Sequence, residues 1–232
     1  ASILAQIGNE GDDPDVVNSV VTAAEIASIN GITGVIPADE VHYQNYIDEN
    51  PNSFSSPATQ AEVQAMIDAV NAAVIVSDGI LAQIGNEGDV PDAVNSVVTV
   101  AEMGTILPDV TGLVPANETA YQDYIDANPN LFASPATQAE VQAMVNAVNT
   151  STGILAQIGN EGDVPDAVNS VVTVAELGTI SPAVTGLVAG NETAYQDYID
   201  ANPNLFASPA TQAEVQAMVN AVNTSTGILA QI

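Results

Sequence analysis

The chain has 232 residues, with 29 Asp and Glu, one His, no Lys, Arg, Cys or Trp, and a formal charge of -29. Without a fixed cation it has no donor for phosphate, nucleotide or substrate carboxylate. It also has nothing to neutralise a nucleic-acid backbone or an anionic lipid surface, so composition argues against those partners and leaves few side chains for catalysis.

The carboxylates lack internal counter-ions and must sit on a solvated, salt-screened surface. Yet 47% of the residues are hydrophobic and recur at regular spacing, which implies folded, thin modules rather than disorder, and an aromatic share of 4% keeps each core small. The longest apolar run, Ala72-Ala73-Val74-Ile75-Val76, falls short of a membrane span. The start, Ala1-Ser2-Ile3-Leu4, has neither the basic region nor the apolar stretch of a signal peptide. A soluble segment is expected, taken from a larger or processed precursor.

Self-comparison organises the chain. Ile-Leu-Ala-Gln-Ile-Gly-Asn-Glu-Gly-Asp recurs from Ile3, Ile80 and Ile154, giving repeats over 3–79, 80–153 and 154–227, and residues 228–232 open a further copy. The second and third repeats differ only at Met103/Leu177, Leu107/Ser181, Asp109/Ala183, Pro115/Ala189 and Ala116/Gly190.

Each repeat opens on an acidic loop. Glu87, Asp89 and Asp92 in the second, Glu161, Asp163 and Asp166 in the third, and Asp12, Asp13 and Asp15 in the first are carboxylates that could hold calcium. The spacing departs from an EF-hand, because Gly88 and Val90 stand where oxygen ligands belong. The competing reading is capping of a helix that begins near Pro91.

Next, Thr99-Val-Ala-Glu102 has the spacing of a capping box and should open a helix despite the strand-like Ser96–Val100 run. Gly104 weakens that helix and Pro108 stops it. A second helix is expected from Asn117, with Tyr121, Tyr124 and Ile125 at helical spacing, ending at Asn128-Pro129. In the first repeat this region holds His42, the lone classical acid-base side chain, but its equivalents are Ala120 and Ala194, so it reads as surface decoration rather than a catalyst. Tyr121, Tyr124 and Phe132, with Tyr195, Tyr198 and Phe206, are either an adhesive stripe or the bulky part of the core.

A third helix should start at the Thr137-Gln-Ala-Glu140 box and carry Val141, Met144, Val145 and Val148 on one face. Leu155 and Ile158 continue that face if the helix passes through Gly153. The first repeat has four more residues between Asn71 and Ile80 than the second has between Asn149 and Ile154, close to one helical turn, which a continuous helix absorbs with little rotation. The alternative is a flexible Asn-Thr-Ser-Thr-Gly joint. Asn117-Glu-Thr119, Asn149-Thr-Ser151, Asn191-Glu-Thr193 and Asn223-Thr-Ser225 are N-glycosylation sequons by pattern, and Asn117 and Asn191 are equally explained as N-caps.

This order of a short capped helix, a Val-Thr-Gly turn, an Asn-Glu-Thr-Ala-Tyr-Gln-Asp-Tyr-Ile helix and a Ser-Pro-Ala-Thr-Gln-Ala-Glu-Val-Gln-Ala-Met helix resembles the acidic alanine-rich repeats of large bacterial surface adhesins. It is loosely similar to the albumin-binding, GA-like three-helix modules, which are typically lysine-rich where this chain has no Lys. The resemblance implies an architecture and a cell-surface setting, and no binding residues.

The sequence therefore leads to an all-α fold, a tandem array of small three-helix repeats joined into a rod if the bridging helix forms. The expected function is a non-catalytic structural spacer of an extracellular or cell-surface protein. The rival readings are a subunit of a self-assembling filament and a module that binds a host protein or glycan. No cofactor is expected unless the acidic loops take calcium.

Overall fold

The computed structural model describes residues 2–9, 19–86, 96–160 and 170–229. Their regular secondary structure is all helical. Among them are the helices α1 (Ile3–Ile7), α2 (Ala23–Ser28), α3 (Glu40–Glu49), α4 (Gln60–Gly85), α5 (Val100–Met103), α6 (Glu118–Ala127), α7 (Gln138–Gly159), α8 (Val174–Leu177), α9 (Glu192–Ala201) and α10 (Gln212–Leu229), and no strand. The helix expected near Pro91 lies outside the described residues. The chain divides into two compact units, residues 1–83 with 101–110, and residues 84–100 with 111–232.

Local signals set the helix ends. Thr22, Thr137 and Thr173 each accept from the backbone N–H three residues on, while Glu25, Glu140 and Glu176 reach back to the cap, so complete capping boxes open α2, α7 and α8. The helix that follows Thr99 is only four residues long, Val100–Met103, in line with Gly104 and Pro108 beyond it. α6 runs from Glu118 to Ala127 and stops before Pro129.

The capping glutamates are lowered from their ordinary carboxyl value. In Glu25, Glu140, Glu176 and Glu214 the largest cause is the N–H of the capping Thr. The Ser55 hydroxyl, then the Thr59 and Ser55 amides, lower Glu62 from 4.5 to about 2. A carboxyl depressed in the folded state stabilises fully above its unfolded value, and the benefit is lost as pH falls through the folded one. Glu62→Gln is therefore expected to lower the urea midpoint at pH 7, with the gap to the parent narrowing below pH 4.5 and closing near pH 2. A gap that is constant over this range would contradict the assignment.

α7 is continuous through Gly153, so the bridging helix forms at this boundary. Its first half buries Val141, Met144, Val145 and Val148, and its second half places Ile154 and Ile158 in a core with Val172, Leu177, Ile180, Tyr195 and Val219 of the third repeat. One helix thus supplies core to two consecutive repeats, and burial of each such isoleucine stabilises by roughly 1.5–3 kcal/mol. α4 has 26 residues where α7 has 22, so the insertion lengthens the helix without ending it.

A Cβ placed on Gly153 meets nothing within 4 Å. Gly153→Ala is expected to stabilise by up to about 1 kcal/mol, the ordinary cost of a helical glycine, read as a higher urea midpoint. A lower midpoint would mean that the backbone at 153 is not helical.

α4 is also long and apolar enough to cross a membrane by length and composition, although the sequence reading expected no such run. Its average comes from Ala, Val and Ile residues interspersed with polar ones, the longest unbroken apolar run being residues 72–76. In its own unit, Val63, Met66, Ile67 and Val70 of this helix pack into a core with Val21, Ile26, Tyr43 and Ile47.

Candidate functional site

The most elaborate polar construction in each repeat centres on an asparagine of the long helix. Tyr121, fully buried on α6, donates from its hydroxyl to Asn149 Oδ1 at 2.6 Å and accepts the Val114 N–H at 3.1 Å. Asn149 Nδ2 donates to the Gly112 carbonyl at 2.7 Å, and Asn117 Nδ2 donates to Asn149 Oδ1 at 2.8 Å and to Thr152 Oγ1 at 3.1 Å. The third repeat reproduces the hub with Tyr195, Asn223, Gly186 and Asn191. The first repeat builds it with Tyr43, Asn71 and Gly34. Gly112, with φ of 73°, takes the left-handed conformation that lets the Val-Thr-Gly turn aim its carbonyl at the helix.

The carboxylates have a second use. With no cation in the chain, several face backbone N–H groups. Asp126 accepts from Ser96 at 2.7 Å and Asp200 from Ser170 at 2.6 Å, and Asp48 does the same for Ser19. Glu118 and Glu192, on the first turns of α6 and α9, accept from Val100 and Val174, the leading amides of α5 and α8. Charge-assisted bonds of this kind fix the short helices, which are too short to persist alone.

The hub holds the Tyr-bearing helix against the long helix, and between the two lies a notch. In the second unit Ala120, Tyr124, Val148, Ser151 and Leu155 line it together with Ser181 and Pro182 of the following repeat, leaving a cavity of about 130 Å³. Ser151 is buried, and its hydroxyl accepts the Ser181 N–H at 2.9 Å. In the first unit the notch formed by α3 and α4 is lined also by Leu107 and Pro108, and Ser77 accepts the Leu107 N–H at 2.9 Å. The turn after the short helix is thus seated on the long helix that precedes it in the chain.

The structure places the candidate residues as follows. His42 is half-buried and lines the notch of the first unit, so it is less superficial than expected; Ala120 and Ala194 occupy the same place in the other repeats. Tyr43, Tyr121 and Tyr195 are fully buried core, and Phe132 is buried, whereas Tyr124 and Tyr198 are half-buried and line notches. Asn117 and Asn191 stand at the N-cap positions of α6 and α9 but make no capping bond, because their amides turn to the hub instead. The nitrogens of Asn117, Asn149, Asn191 and Asn223 that a glycan would take are all hydrogen-bonded inside the fold.

The metal candidates Glu87, Asp89, Asp92, Glu161, Asp163 and Asp166, with Asp12, Asp13 and Asp15, lie outside the described residues. Among the described residues no group of three His, Cys, Asp or Glu stands close enough to hold an ion. Chelation of divalent ions is expected to lower the melting temperature only modestly, through loss of surface screening. Complete unfolding on chelation, reversed by calcium and not by sodium, would make the acidic loops true metal sites.

Comparison with protein-family models, with curated proteins and with solved structures finds no match to this chain. What the hub and notch offer is recognition of a turn, through an apolar recess and one hydroxyl acceptor. Neither was legible beforehand, since Asn149 and Ser151 read only as part of a bridging helix or of a flexible joint. The available signal was their recurrence at Ser77 and Asn71 despite the inserted residues between.

Proposed function

We propose that this chain is a structural spacer, a tandem array of three-helix repeats from the stalk of a bacterial cell-surface or extracellular fibrous protein. It works by coupling each repeat to the next and carries out no catalysis. The observation that supports this reading is α7: one helix contributes Val148 to the second repeat and Ile154 and Ile158 to the third, while Ser151 between them receives the next turn. A repeat whose core is completed by its neighbour cannot swing freely about a linker, which suits transmission of position along an array. Near-identical copies suit a spacer better than a specific receptor, and the resemblance to adhesin repeats supplies the surface setting.

Small-angle scattering on the chain tests the mechanical part, with one narrow population of particle sizes expected. A broad distribution of sizes would sink it. Antibodies raised against the chain should label intact cells of the source organism, and labelling only after lysis would remove the surface setting.

A further inference from the structure

The notch of the first unit is not a copy of the one in the second. Its cavity is about 250 Å³ against about 130 Å³, and it is lined by two carboxylates from different elements, Glu49 of α3 and Asp109 of the seated turn. The matching residues are Ala127 in the second repeat and Ala183 in the third, and His42 likewise stands where the second repeat has Ala120. The rest of the lining is largely apolar. Val70 and Ala73 of α4 and Pro108 belong to it, and Tyr46, whose ring packs at 6.4 Å and 79° against Phe54, supplies an aromatic wall. Val76 lies three residues beyond Ala73, hence on the same side of α4, and is 49% exposed, so the apolar surface runs on past the cavity.

Two like charges around one recess repel each other, and the chain has no Lys or Arg to set between them. Their counter-charge therefore comes from outside. A bare metal ion suits the recess poorly, because it would leave the apolar lining unused and no group of three ligating side chains stands close enough among the described residues. An ammonium group on a short hydrocarbon stem uses every part. Its three N–H donors meet the carboxylates and the neutral imidazole of His42, its charge is attracted to the face of an aromatic ring, and its methylenes cover Val70 and Ala73.

We propose that the notch on α3 and α4 is a binding site for a primary alkylammonium group carried on a stem of about four or five carbons. A recess at or below the small end of ligand cavities, roughly 300–1,000 Å³, matches a group of that size. Such a site adds ligand recognition to the spacer role and does not depend on it.

Titration of the full chain with pentylamine at neutral pH and about 0.15 M NaCl, followed by amide NMR shifts, tests the assignment. Saturating shifts confined to residues 42–49, 69–76 and 107–109 are expected, with a dissociation constant of about 1 mM or lower. Pentanol and pentanoate, which have the stem without the cation, should each bind at least about tenfold more weakly. Glu49→Ala and Asp109→Ala write in the residues that other repeats carry at those places. Each should weaken binding at least about fivefold and leave the circular dichroism unchanged. Nα-acetyl-lysine amide identifies the source of the group: binding as tight as that of pentylamine assigns the site to a lysine side chain of a partner, and weaker binding assigns it to a free amine. Shifts that never saturate, or that spread over carboxylate-bearing segments of all three repeats, would make the amine a mere counter-ion of a chain with charge -29 and overturn the site. Binding that both variants leave intact, or that pentanol equals, overturns it as well. None of these results touches the spacer reading, which depends on Ser151 and α7 and is judged by scattering.

Discussion

Gly159→Ala is expected to destabilise the second unit by about 3 kcal/mol or more. A Cβ there would stand 2.5 Å from the Ala210 nitrogen and 2.9 Å from the Pro209 carbonyl carbon, and closer still to the Ala207 carbonyl oxygen. All three are backbone atoms, so no rotamer change relieves the overlap. The end of α7 must instead move off the 207–210 segment and give up the bond from Ala210 N–H to the Leu155 carbonyl, 3.0 Å. The gain of about 1 kcal/mol in helix propensity is smaller than the overpacking penalty of a backbone clash, so the clash decides the sign. In a chain of this size each kcal/mol shifts the melting temperature by about 2–4 °C, so calorimetry should show a fall of roughly 6–12 °C. Gly85 and Gly8 stand in the same relation to residues 133–136 and 55–58 and should behave alike. A variant as stable as the parent would show that the helix end is not pressed against that segment. The contrast with Gly153→Ala, expected to stabilise, makes the pair a sharp test: both glycines lie in one helix, and only their surroundings differ.

Asn149→Ala should cost about 2–4 kcal/mol in urea unfolding. The substitution removes three bonds at once and strands the hydroxyl of a fully buried tyrosine and the carbonyl of Gly112. Tyr121→Phe removes the hydroxyl but leaves Asn149 its other partners, so about 1–2 kcal/mol is expected. Because the two residues share a bond, the double variant should lose less than the sum, by more than about 0.5 kcal/mol. Strict additivity, or a loss under 0.5 kcal/mol for Asn149→Ala, would show that water substitutes for the hub.

How much of this was legible depends on how far apart in sequence the cause and its effect lie. Helix starts were legible because a capping box is closed within three residues, and the stops at Asn128-Pro129 and Gly104 follow from backbone restrictions of one or two residues. The bridging helix was partly legible through comparison: an insertion close to one turn is what a continuous helix absorbs with little rotation, while Gly153 and its Ser and Thr neighbours also fitted a flexible joint. The roles of Asn117, Ser151 and Gly159 were hidden because their partners stand 30 or more residues away. Asn117 and Ser151 belong to residue types that serve equally well in caps and loose joints. The carboxylates were read as a solvated exterior, and part of that was right, but Asp126 and Glu118 are spent on backbone amides. Nothing in a count of charges distinguishes those from their neighbours.

The seated turn has a consequence for how such a gene changes length. All the differences between the second and third repeats fall within residues 103–116 and their counterparts, around the turn that enters the notch, while the hub helices α6 and α9 are identical. An unequal crossover anywhere within the codons of two long helices returns an intact helix with its serine and its glycine in place. The product is a longer or shorter chain whose every boundary is already solved. Variation confined to the turn lets the grip at each boundary drift without disturbing the repeat that offers the seat. Recombination can therefore change the number of repeats in whole steps, and point mutation can change the fit of each seated turn, each without undoing the other.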